Sequence, residues 1–296
     1  MHTLVARPSK ATMRTPVASS RVLRSLCLAA ALPGFLVGLA PASAAATDGT
    51  VHVLIVKEQG VGSAAQAQPY VDKLVAVAGK LNGWTGVEGK FATTREAAEE
   101  YIHGSDPHYG IMSLGAFLSL RGRHQLAVVG QAEVAFGNGQ EYHLVSKTQT
   151  DVAGCKGKTL ASNHVEDTRF VDKVIANGAF AVADFTVVAT KRPVQTIKKV
   201  IAGEAECALI DDAQFAELAR IEGGAAIKSV WKSDKLPPMV VVAFPSAPAA
   251  ARETFKGKLG QICSGDSSAA CGEVGIKTLK AASNKEYDAV VKAYGK

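Results

Sequence analysis

The fold is indicated most directly by residues 157–175, which read GKTLASNHVEDTRFVDKVI. The segment opens with a short apolar run at 159–161, of the kind that forms a buried parallel strand. Three small or polar residues follow, Ser162, Asn163 and His164, and beyond them apolar residues recur at helical spacing. A strand, a polar turn and a helix start form the unit from which open α/β sheets build a binding crevice at the carboxyl ends of their strands.

The start of that helix is a candidate ligand site. Asn163 and Glu166 have the spacing of a capping box, and Asn177-Gly178 has the composition of a helix stop. A helix start offers free backbone N–H groups and a partial positive charge, and a ligand can use both. The same residues also suit an ordinary βα turn with a good cap, so this turn alone does not identify a site.

The rest of the chain repeats the alternation of strands and helices. Strands are predicted at 51–56, 84–91, 108–113, 125–136, 141–147, 158–162, 185–189, 206–211, 227–231 and 239–244. Helices are predicted at 64–79, 94–102, 114–120, 165–176, 193–202, 213–221, 248–262 and 284–293. Such alternation gives parallel sheets flanked by helices. We therefore expect an α/β chain of two lobes, each a mostly parallel sheet with flanking helices, and a ligand cleft between the lobes.

The lobes are expected to interrupt each other in the sequence. The strands at 125–136 and 239–244 are the predicted crossings between them. Lobe 1 would then comprise 47–137 and 239–296, with lobe 2 inserted at 138–238.

Residues 1–46 have the composition of a secretory signal peptide. A basic region without acids is followed by an apolar run at 26–40 and by small residues at an A-x-A site. The apolar run is too short, and too interrupted by Pro33-Gly34, to span a membrane. Cleavage is expected near Ala44–Ala46, which makes the mature protein periplasmic, and Met13 is an alternative start.

Most of the net positive charge of the sequence lies in residues 1–46. The whole sequence has a net charge of +6, but without residues 1–46 it keeps 28 Lys and Arg against 27 Asp and Glu. A nucleic-acid partner therefore loses its main electrostatic support, and none is expected.

Four cysteines remain after the leader: Cys155, Cys207, Cys263 and Cys271. An even number in an exported chain suggests disulfides, and four cysteines allow three pairings. Cys263 and Cys271 flank a loop that they can close, and Cys155 and Cys207 come within bridging distance if the strands that follow them are neighbours. We favour the pairs 155–207 and 263–271. The spacings fit no C-x-x-C pair, so no metal is expected.

Four segments of the chain carry a resemblance to a protein family. They are the strand at 51–56 leading into the helix at 64, HYGIMSLGAF at 108–117, CKGKTLAS at 155–162 and EAECALIDD at 204–212. These segments resemble the periplasmic solute-binding proteins of ABC transporters, within the group that binds phosphate, phosphite, phosphonates and alkanesulfonates. CKGKTLAS is similar to the family's K-G-K-x-(V/L)-A opening of lobe 2. EAECALIDD is similar to its G-x-(V/A)-D-A-A-x-x-D segment.

The resemblance implies the type II periplasmic binding fold, in which the lobes close on a ligand about a hinge. By position at the ends of predicted strands, the residues expected to bind the ligand are Gln59, Ser63, Met112, Ser113, Ser162, Asn163, His164, Asp211 and Asp212. Some of them also suit structural roles: Ser63 as a helix cap, Ser113 as a partner for backbone groups, and Asp212 as the N-cap of the helix at 213–221.

The turn at 162–164 departs from the family, whose oxyanion binders have a Ser/Thr-rich turn there. It is followed by Glu166 and Asp167, whose carboxylates repel a dianion, and Asp211-Asp212 adds two more acids. Phosphonate binders of the family use carboxylates on an amino group of the ligand, so acids alone do not exclude such a ligand. We expect a small polar ligand that is phosphonate- or phosphate-like or zwitterionic, with cationic and neutral solutes left open.

Two other functions stay open at this stage. The same fold hosts enzymes that use an unpaired cysteine, so Cys155 or Cys207 is a candidate nucleophile. An orphan receptor that signals through a membrane sensor is the other. The resemblance itself implies a monomeric protein that is no enzyme, needs no cofactor, and passes a small molecule to an ABC permease or other membrane partner.

Overall fold

The computed structural model describes residues 49–58, 63–134 and 139–295 of the 296-residue chain. All of these residues belong to one compact unit. The leader expected at 1–46 and the predicted ligand-binding residue Gln59 lie outside the described residues. No helix within the described ranges is long and apolar enough to cross a membrane.

The strands of the described residues form two sheets. The first has six strands in the order β11-β4-β10-β3-β1-β2, and the second has five in the order β7-β6-β8-β5-β9. We call the six-stranded sheet with its helices lobe 1, and the five-stranded sheet with its helices lobe 2. The strands are β1 (Thr50–Val56), β2 (Gly86–Ala92), β3 (Tyr109–Met112), β4 (Ala127–Val134), β5 (Tyr142–Ser146), β6 (Thr159–Ser162), β7 (Thr186–Ala189), β8 (Cys207–Asp211), β9 (Lys228–Lys232), β10 (Met239–Ala243) and β11 (Ile276–Ala281).

Both sheets are mixed, although most strands of each run in one direction. In lobe 1, β1 is parallel to β2 and β3, whereas β10 is antiparallel to β3 and β4, and β11 is antiparallel to β4. In lobe 2, β6 is parallel to β7 and β8, whereas β5 is antiparallel to β8 and β9. The chain passes between the lobes twice, after β4 and after β9. The predicted two-lobed α/β fold is confirmed.

Helices follow most of the strands. They are α1 (Ala64–Asn82), α2 (Arg95–Ser105), α3 (Leu114–Leu120), α4 (Val152–Cys155), α5 (Thr168–Phe170), α6 (Pro193–Ile201), α7 (Asp212–Glu217), α8 (Ala249–Ile262), α9 (Ser268–Glu273) and α10 (Asp288–Gly295). Helix α5 continues into a π-helical turn at Val171–Ile175. Short 3₁₀ turns lie at Val182–Asp184, Leu218–Arg220, Gly224–Ala226, Gly265–Ser267 and Asn284–Tyr287.

The strand β1 shows why the lobe 1 sheet is apolar on both faces. Val53 and Ile55 belong to a cluster with α1 and α8, whereas Leu54 and Val56 point to the opposite face. Successive side chains of a strand alternate between faces, so a strand covered on both sides is apolar throughout. The cluster that contains Leu54 also includes buried residues of β5 and β6. This cluster is therefore a core that both lobes share, whereas two further clusters lie within lobe 1 and lobe 2, respectively.

The helix after β6 begins later than the sequence predicts. The spacing of Asn163 and Glu166 suggested a start at 165, but the N-cap is Asp167, whose Oδ1 accepts the Phe170 N–H at 2.9 Å. The side chain of Asn163 is buried, and its Oδ1 accepts hydrogen bonds from two other residues of lobe 2. A capping residue needs its side chain at the helix start, and the side chain of Asn163 is engaged elsewhere. The helix therefore begins later, with Asp167 as its N-cap.

The C-terminal region contains a strand that the sequence pattern did not reveal. β11 has only two buried side chains, Ile276 and Leu279, and these do not alternate as a half-buried strand requires. A register shift against β4 between Ile276 and Thr278 accounts for the broken alternation. The helix predicted at 284–293 begins as a 3₁₀ turn and becomes α10 at Asp288.

Two disulfides join the four cysteines. Cys155 at the end of α4 is bonded to Cys207 at the start of β8, with the Cα atoms 6.1 Å apart. Cys263 and Cys271 close the loop between α8 and α9, with the Cα atoms 5.5 Å apart. These are the pairs favoured from the sequence, and β6 and β8 are neighbours in the sheet.

Gly130 lies in β4 between β10 and β11, at a point where no side chain fits. A Cβ atom there would lie 2.7 Å from the Lys280 carbonyl oxygen and would overlap Leu259 Cδ1. Because a backbone oxygen held in a sheet cannot move aside cheaply, we expect Gly130→Ala to lower the free energy of unfolding by about 3 kcal/mol. Urea denaturation followed by circular dichroism measures this change.

Gly257 in α8 provides the matched control. A Cβ atom at this exposed helical position meets no other atom within 4 Å. The same glycine-to-alanine change should therefore raise stability by about 0.5–1 kcal/mol, because alanine is the better helix former. Equal effects at the two positions would contradict the packing described for β4.

Candidate ligand-binding cleft

A cleft of about 70 Å³ lies between the lobes. Its walls come mainly from the carboxyl ends of strands and from helix starts of both lobes, where open sheets bind ligands, and Tyr142 adds the amino end of β5. Lobe 1 contributes Glu58, Arg95, Ser113, Leu114 and Gly115. Lobe 2 contributes Gly139, Tyr142, His164, Glu166, Asp167, Phe170 and Asp211.

Arg95, the first residue of α2, is the charged centre of the lobe 1 wall. Its Nε lies 2.7 Å from Glu58 Oε1, and its Nη1 lies 2.6 Å from Asp167 Oδ2. All three side chains are at most a quarter exposed. Burial by itself lowers the pKa of Arg95, but Glu58 and Asp167 outweigh burial and raise it. The guanidinium is therefore charged and carries an ion pair across the cleft to lobe 2.

Asp167 is held by three elements at once. Besides Arg95, its Oδ2 accepts a hydrogen bond from Tyr294 Oη of α10 at 3.0 Å, while Oδ1 caps α5. The Arg169 guanidinium lies over the Tyr294 ring, 5.0 Å from its centroid. The C-terminal helix of the described chain is thus fastened to the same carboxylate that bridges the lobes.

Tyr142 is a buried aromatic residue of the lobe 2 wall. Its side chain is only 5% exposed, and its hydroxyl has no hydrogen-bond partner within residues 49–58, 63–134 and 139–295. Burial raises the pKa of Tyr142 well above its usual value, and the nearby carboxylates of Asp211, Asp212 and Glu58 raise it further. The hydroxyl therefore stays protonated and faces a region of negative potential.

A buried polar network supports the cleft from below. His164 Nε2 lies 2.9 Å from Gln214 Oε1, which also accepts the Asp211 backbone N–H at 3.0 Å. Because an amide oxygen only accepts, Nε2 carries the proton of this hydrogen bond. Gln214 Nε2 donates to Asn163 Oδ1, which also accepts from Thr196. The network fixes the orientation of His164 at the cleft.

Lys57 is a second cation at the end of β1. Burial lowers the pKa of its ammonium group, and Asp211 of lobe 2 partly offsets that effect. The described residues show no hydrogen bond or ion pair to its Nζ. Lys57 does not line the cleft.

Three of the residues predicted to bind ligand line the cleft together: Ser113, His164 and Asp211. Ser113 donates from Oγ to Glu58 Oε2 at 3.1 Å. Asp211 Oδ1 accepts the Gln214 N–H at 2.8 Å, so Asp211 is the N-cap of α7. The cap predicted at Asp212 was therefore placed one residue too late.

The other predicted residues have structural contacts outside the lining. Ser63 is exposed and caps α1, and Met112 is fully buried in the shared core. Ser162 is fully buried, where it donates to the Leu209 carbonyl and accepts the His164 N–H. Asn163 belongs to the network beneath His164. Asp212 Oδ1 accepts the backbone N–H groups of Gly139 and Ala213.

Sequence reasoning missed Glu58, Arg95, Tyr142 and Phe170. Glu58 follows β1 by two residues, so the strand-end rule that selected Gln59 also applied to it. Arg95 and Tyr142 begin their elements, and no sequence pattern distinguishes them from surface positions. A group of three or more His, Cys, Asp or Glu side chains suited to a metal ion does not occur in the described parts of the chain.

Comparison with solved structures identifies the fold. A binding-protein component of an ABC phosphonate transporter from Pseudomonas aeruginosa is 12% identical, with a TM-score of 0.61 over 82% of this chain and 85% of that one. A Prochlorococcus marinus protein in complex with methylphosphonate is 11% identical, with a TM-score of 0.62 over 82% and 96%. A Xanthomonas citri protein bound to ATP is 11% identical, with a TM-score of 0.64 over 83% and 96%. The fold is that of two-lobed periplasmic binding proteins.

The family follows from the sequence itself. The model of the family described as ABC transporter, phosphonate, periplasmic substrate-binding protein matches residues 59–287. The chain therefore belongs to the family of periplasmic phosphonate-binding components of ABC transporters. A comparison with curated protein sequences gave no match.

Proposed function

We propose that this chain is an exported receptor that captures a small polar ligand, phosphonate- or phosphate-like or zwitterionic, and delivers it to an ABC permease or other membrane partner. The observation that carries the proposal is the cleft itself, since residues of both lobes line it. In this proposal residues 1–46 are the signal peptide, lobe 1 comprises 47–137 and 239–296, lobe 2 comprises 138–238, and the mature protein acts as a monomer.

Closure of the lobes is the proposed mechanism of capture. A ligand that contacts both walls stabilises the closed arrangement by its differential affinity for that state. Ser113 and Glu58 would contact it from lobe 1, and His164 and Asp211 from lobe 2. Asn163 and Ser162 would act through His164, and Asp212 would hold the backbone at Gly139.

A binding role is favoured over catalysis by the cysteines. The enzyme alternative needed a thiol at Cys155 or Cys207, and both belong to one disulfide. A paired cysteine offers no thiolate for attack.

Thermal shift measurements test the proposal. The purified mature protein is screened against phosphate, phosphonates, sulfonates, amino acids and polyamines, each well above the dissociation constant of a typical receptor. A ligand present at one hundred times its dissociation constant should stabilise the protein by about 2.7 kcal/mol and raise its melting temperature clearly. A flat response across a broad set of metabolites would contradict a binding function.

A further inference from the structure

Resting on the proposed function, we propose that Asp167 occupies on Arg95 the position that the anionic group of the ligand takes. The Asp167 carboxylate holds the lobes together through the guanidinium until an anionic oxygen of the ligand replaces it. Arg95 is then a ligand-binding residue, and Asp167 is an internal competitor that sets how tightly the ligand binds.

The guanidinium of Arg95 is divided between two carboxylates from different lobes. Its Nε and Nη2 donate to Glu58 of lobe 1 at 2.7 and 3.3 Å, whereas Nη1 donates to Asp167 of lobe 2 at 2.6 Å. Ser113 Oγ donates to the same Glu58 at 3.1 Å and holds it within lobe 1. Opening of the lobes therefore leaves the Arg95–Glu58 pair intact and separates Arg95 from Asp167.

Opening thus exposes one defined side of the Arg95 fork. Arginine binds carboxylate and phosphate-type oxygens alike, because both match the charge and the geometry of its N–H groups. The Nη1 group that Asp167 leaves is accordingly a donor for an anionic oxygen of the ligand. Gly115 keeps the neighbouring space clear, since a Cβ atom at this lining position would lie 3.1 Å from Arg95 Nη2.

Asp167 keeps hydrogen-bond partners when it leaves Arg95. Its Oδ1 accepts the Phe170 N–H at 2.9 Å as the N-cap of α5, and this bond lies within lobe 2. Its Oδ2 also accepts from Tyr294 Oη at 3.0 Å. A buried carboxylate is costly to separate from its cation mainly when no other donor satisfies it. These partners therefore make the exchange of Arg95 between Asp167 and a ligand feasible.

The described walls of the cleft offer an anionic ligand one cationic side chain. Arg95 is the one lysine or arginine among the described lining residues, and carboxylates of both lobes line the same space. An anion is held in such surroundings only where a cation offsets the negative potential. The ligand and Asp167 therefore compete for the same guanidinium.

The exchange predicts that neutralising Asp167 strengthens binding. Asp167→Asn keeps the cap of α5, because asparagine caps as well as aspartate, but it no longer forms an ion pair with Arg95. We expect this variant to bind methylphosphonate or inorganic phosphate about tenfold more tightly than the wild type, since the fork is unoccupied and a repelling charge is gone. Isothermal titration measures the change. Equal or weaker binding, as a purely structural ion pair predicts, would overturn the inference.

The other partner of the ion pair should respond in the opposite direction. Arg95→Lys keeps a positive charge but loses the planar fork, so we expect about tenfold weaker binding of the same probe. Loss of a structural ion pair would affect the two variants alike. Opposite signs therefore distinguish an exchange from a general loss of stability, and tighter binding by Arg95→Lys would contradict the assignment of Arg95 to the ligand.

The hold of Asp167 on the lobes is measurable without ligand. Small-angle X-ray scattering of dialysed mature protein gives its radius of gyration, which increases when the lobes move apart. We expect a larger radius for Asp167→Asn than for the wild type, because no ion pair then joins Arg95 to lobe 2. Equal radii would overturn the inference.

The matched control is Asp151→Asn. Asp151 is exposed and is the N-cap of α4 in the same lobe, where its Oδ1 accepts the Gly154 N–H at 2.8 Å, and it does not line the cleft. This change should leave probe affinity within about twofold of the wild type, since solvent and salt screen an exposed charge. A gain equal to that of Asp167→Asn would show a general effect of charge and contradict local competition.

Failure of this inference is distinguishable from failure of the proposed function. Absence of binding by both probes in the wild type and both cleft variants would overturn the exchange, as would a ligand from the thermal screen that carries no anionic group. The proposed receptor function would stand in either case if the screen yields a ligand. A flat screen would overturn both.

Discussion

Replacement of Arg95 by methionine is expected to lower the free energy of unfolding by about 2–3 kcal/mol. Methionine keeps much of the length of the side chain but leaves Glu58 and Asp167 facing each other without their shared cation. Their side chains are only 13% and 10% exposed. Breaking a buried ion pair by removing one partner costs about 3–5 kcal/mol, and the partial exposure of Arg95 reduces that figure. Urea denaturation of the two proteins measures the difference.

The exposed pair of Arg220 and Glu217 provides the control. Their atoms are 2.7 Å apart, as in the Arg95–Glu58 pair, but the side chains are 77% and 53% exposed. Arg220→Met should therefore cost no more than about 0.5 kcal/mol, since solvent screens exposed pairs. Similar losses for Arg95→Met and Arg220→Met would contradict the stabilising role of the ion pair that crosses the cleft.

Removal of the disulfide between Cys155 and Cys207 is expected to have the largest effect on stability, about 4 kcal/mol. The bond joins cysteines 52 positions apart, whereas Cys263 and Cys271 are 8 positions apart. A longer loop loses more chain entropy when it is closed in the unfolded state, so removing the shorter one should cost about 2.5 kcal/mol. The measurement compares denaturant midpoints of the two double-alanine variants with that of the oxidised wild type.

Reduction provides the control for both variants. When a thiol reductant opens all disulfides during unfolding and refolding, the wild type and the variants should approach one another in stability. A smaller loss from the 155–207 variant than from the 263–271 variant would contradict the loop-length argument.

The sequence predicted the elements whose apolar residues match the period of the structure. β1, β10 and α3 are apolar in nearly every residue, and their structural positions agree with the predicted ranges. β11 was missed because a register shift breaks its alternation. The start of α5 was misplaced because Asn163 is needed in a buried network with Thr196 and Gln214, and its neighbours in sequence do not reveal those distant partners.

The cleft residues that follow strands could be predicted from their position in the chain. The residues whose role depends on tertiary contacts could not. Ser113, His164 and Asp211 follow strands, so the strand-end rule finds them. Arg95 matters because Asp167, 72 positions away, lies against its guanidinium. Pairing over that distance depends on how the lobes meet, and a single sequence does not contain that information. Whether the predicted residues contact ligand stays a prediction for the binding experiments above.

Because of its position in the sheet, β4 cannot complete its pairing until later parts of the chain have been synthesised. Both neighbours of β4 are strands that are synthesised after lobe 2, at Met239–Ala243 and Ile276–Ala281. A nascent or translocating chain therefore carries residues 127–134 with two unpaired edges until more than a hundred further residues have emerged. Open edges of an apolar strand favour pairing with other chains. We therefore expect residues 127–134 to remain open to pairing with other chains until β10 and β11 have been synthesised.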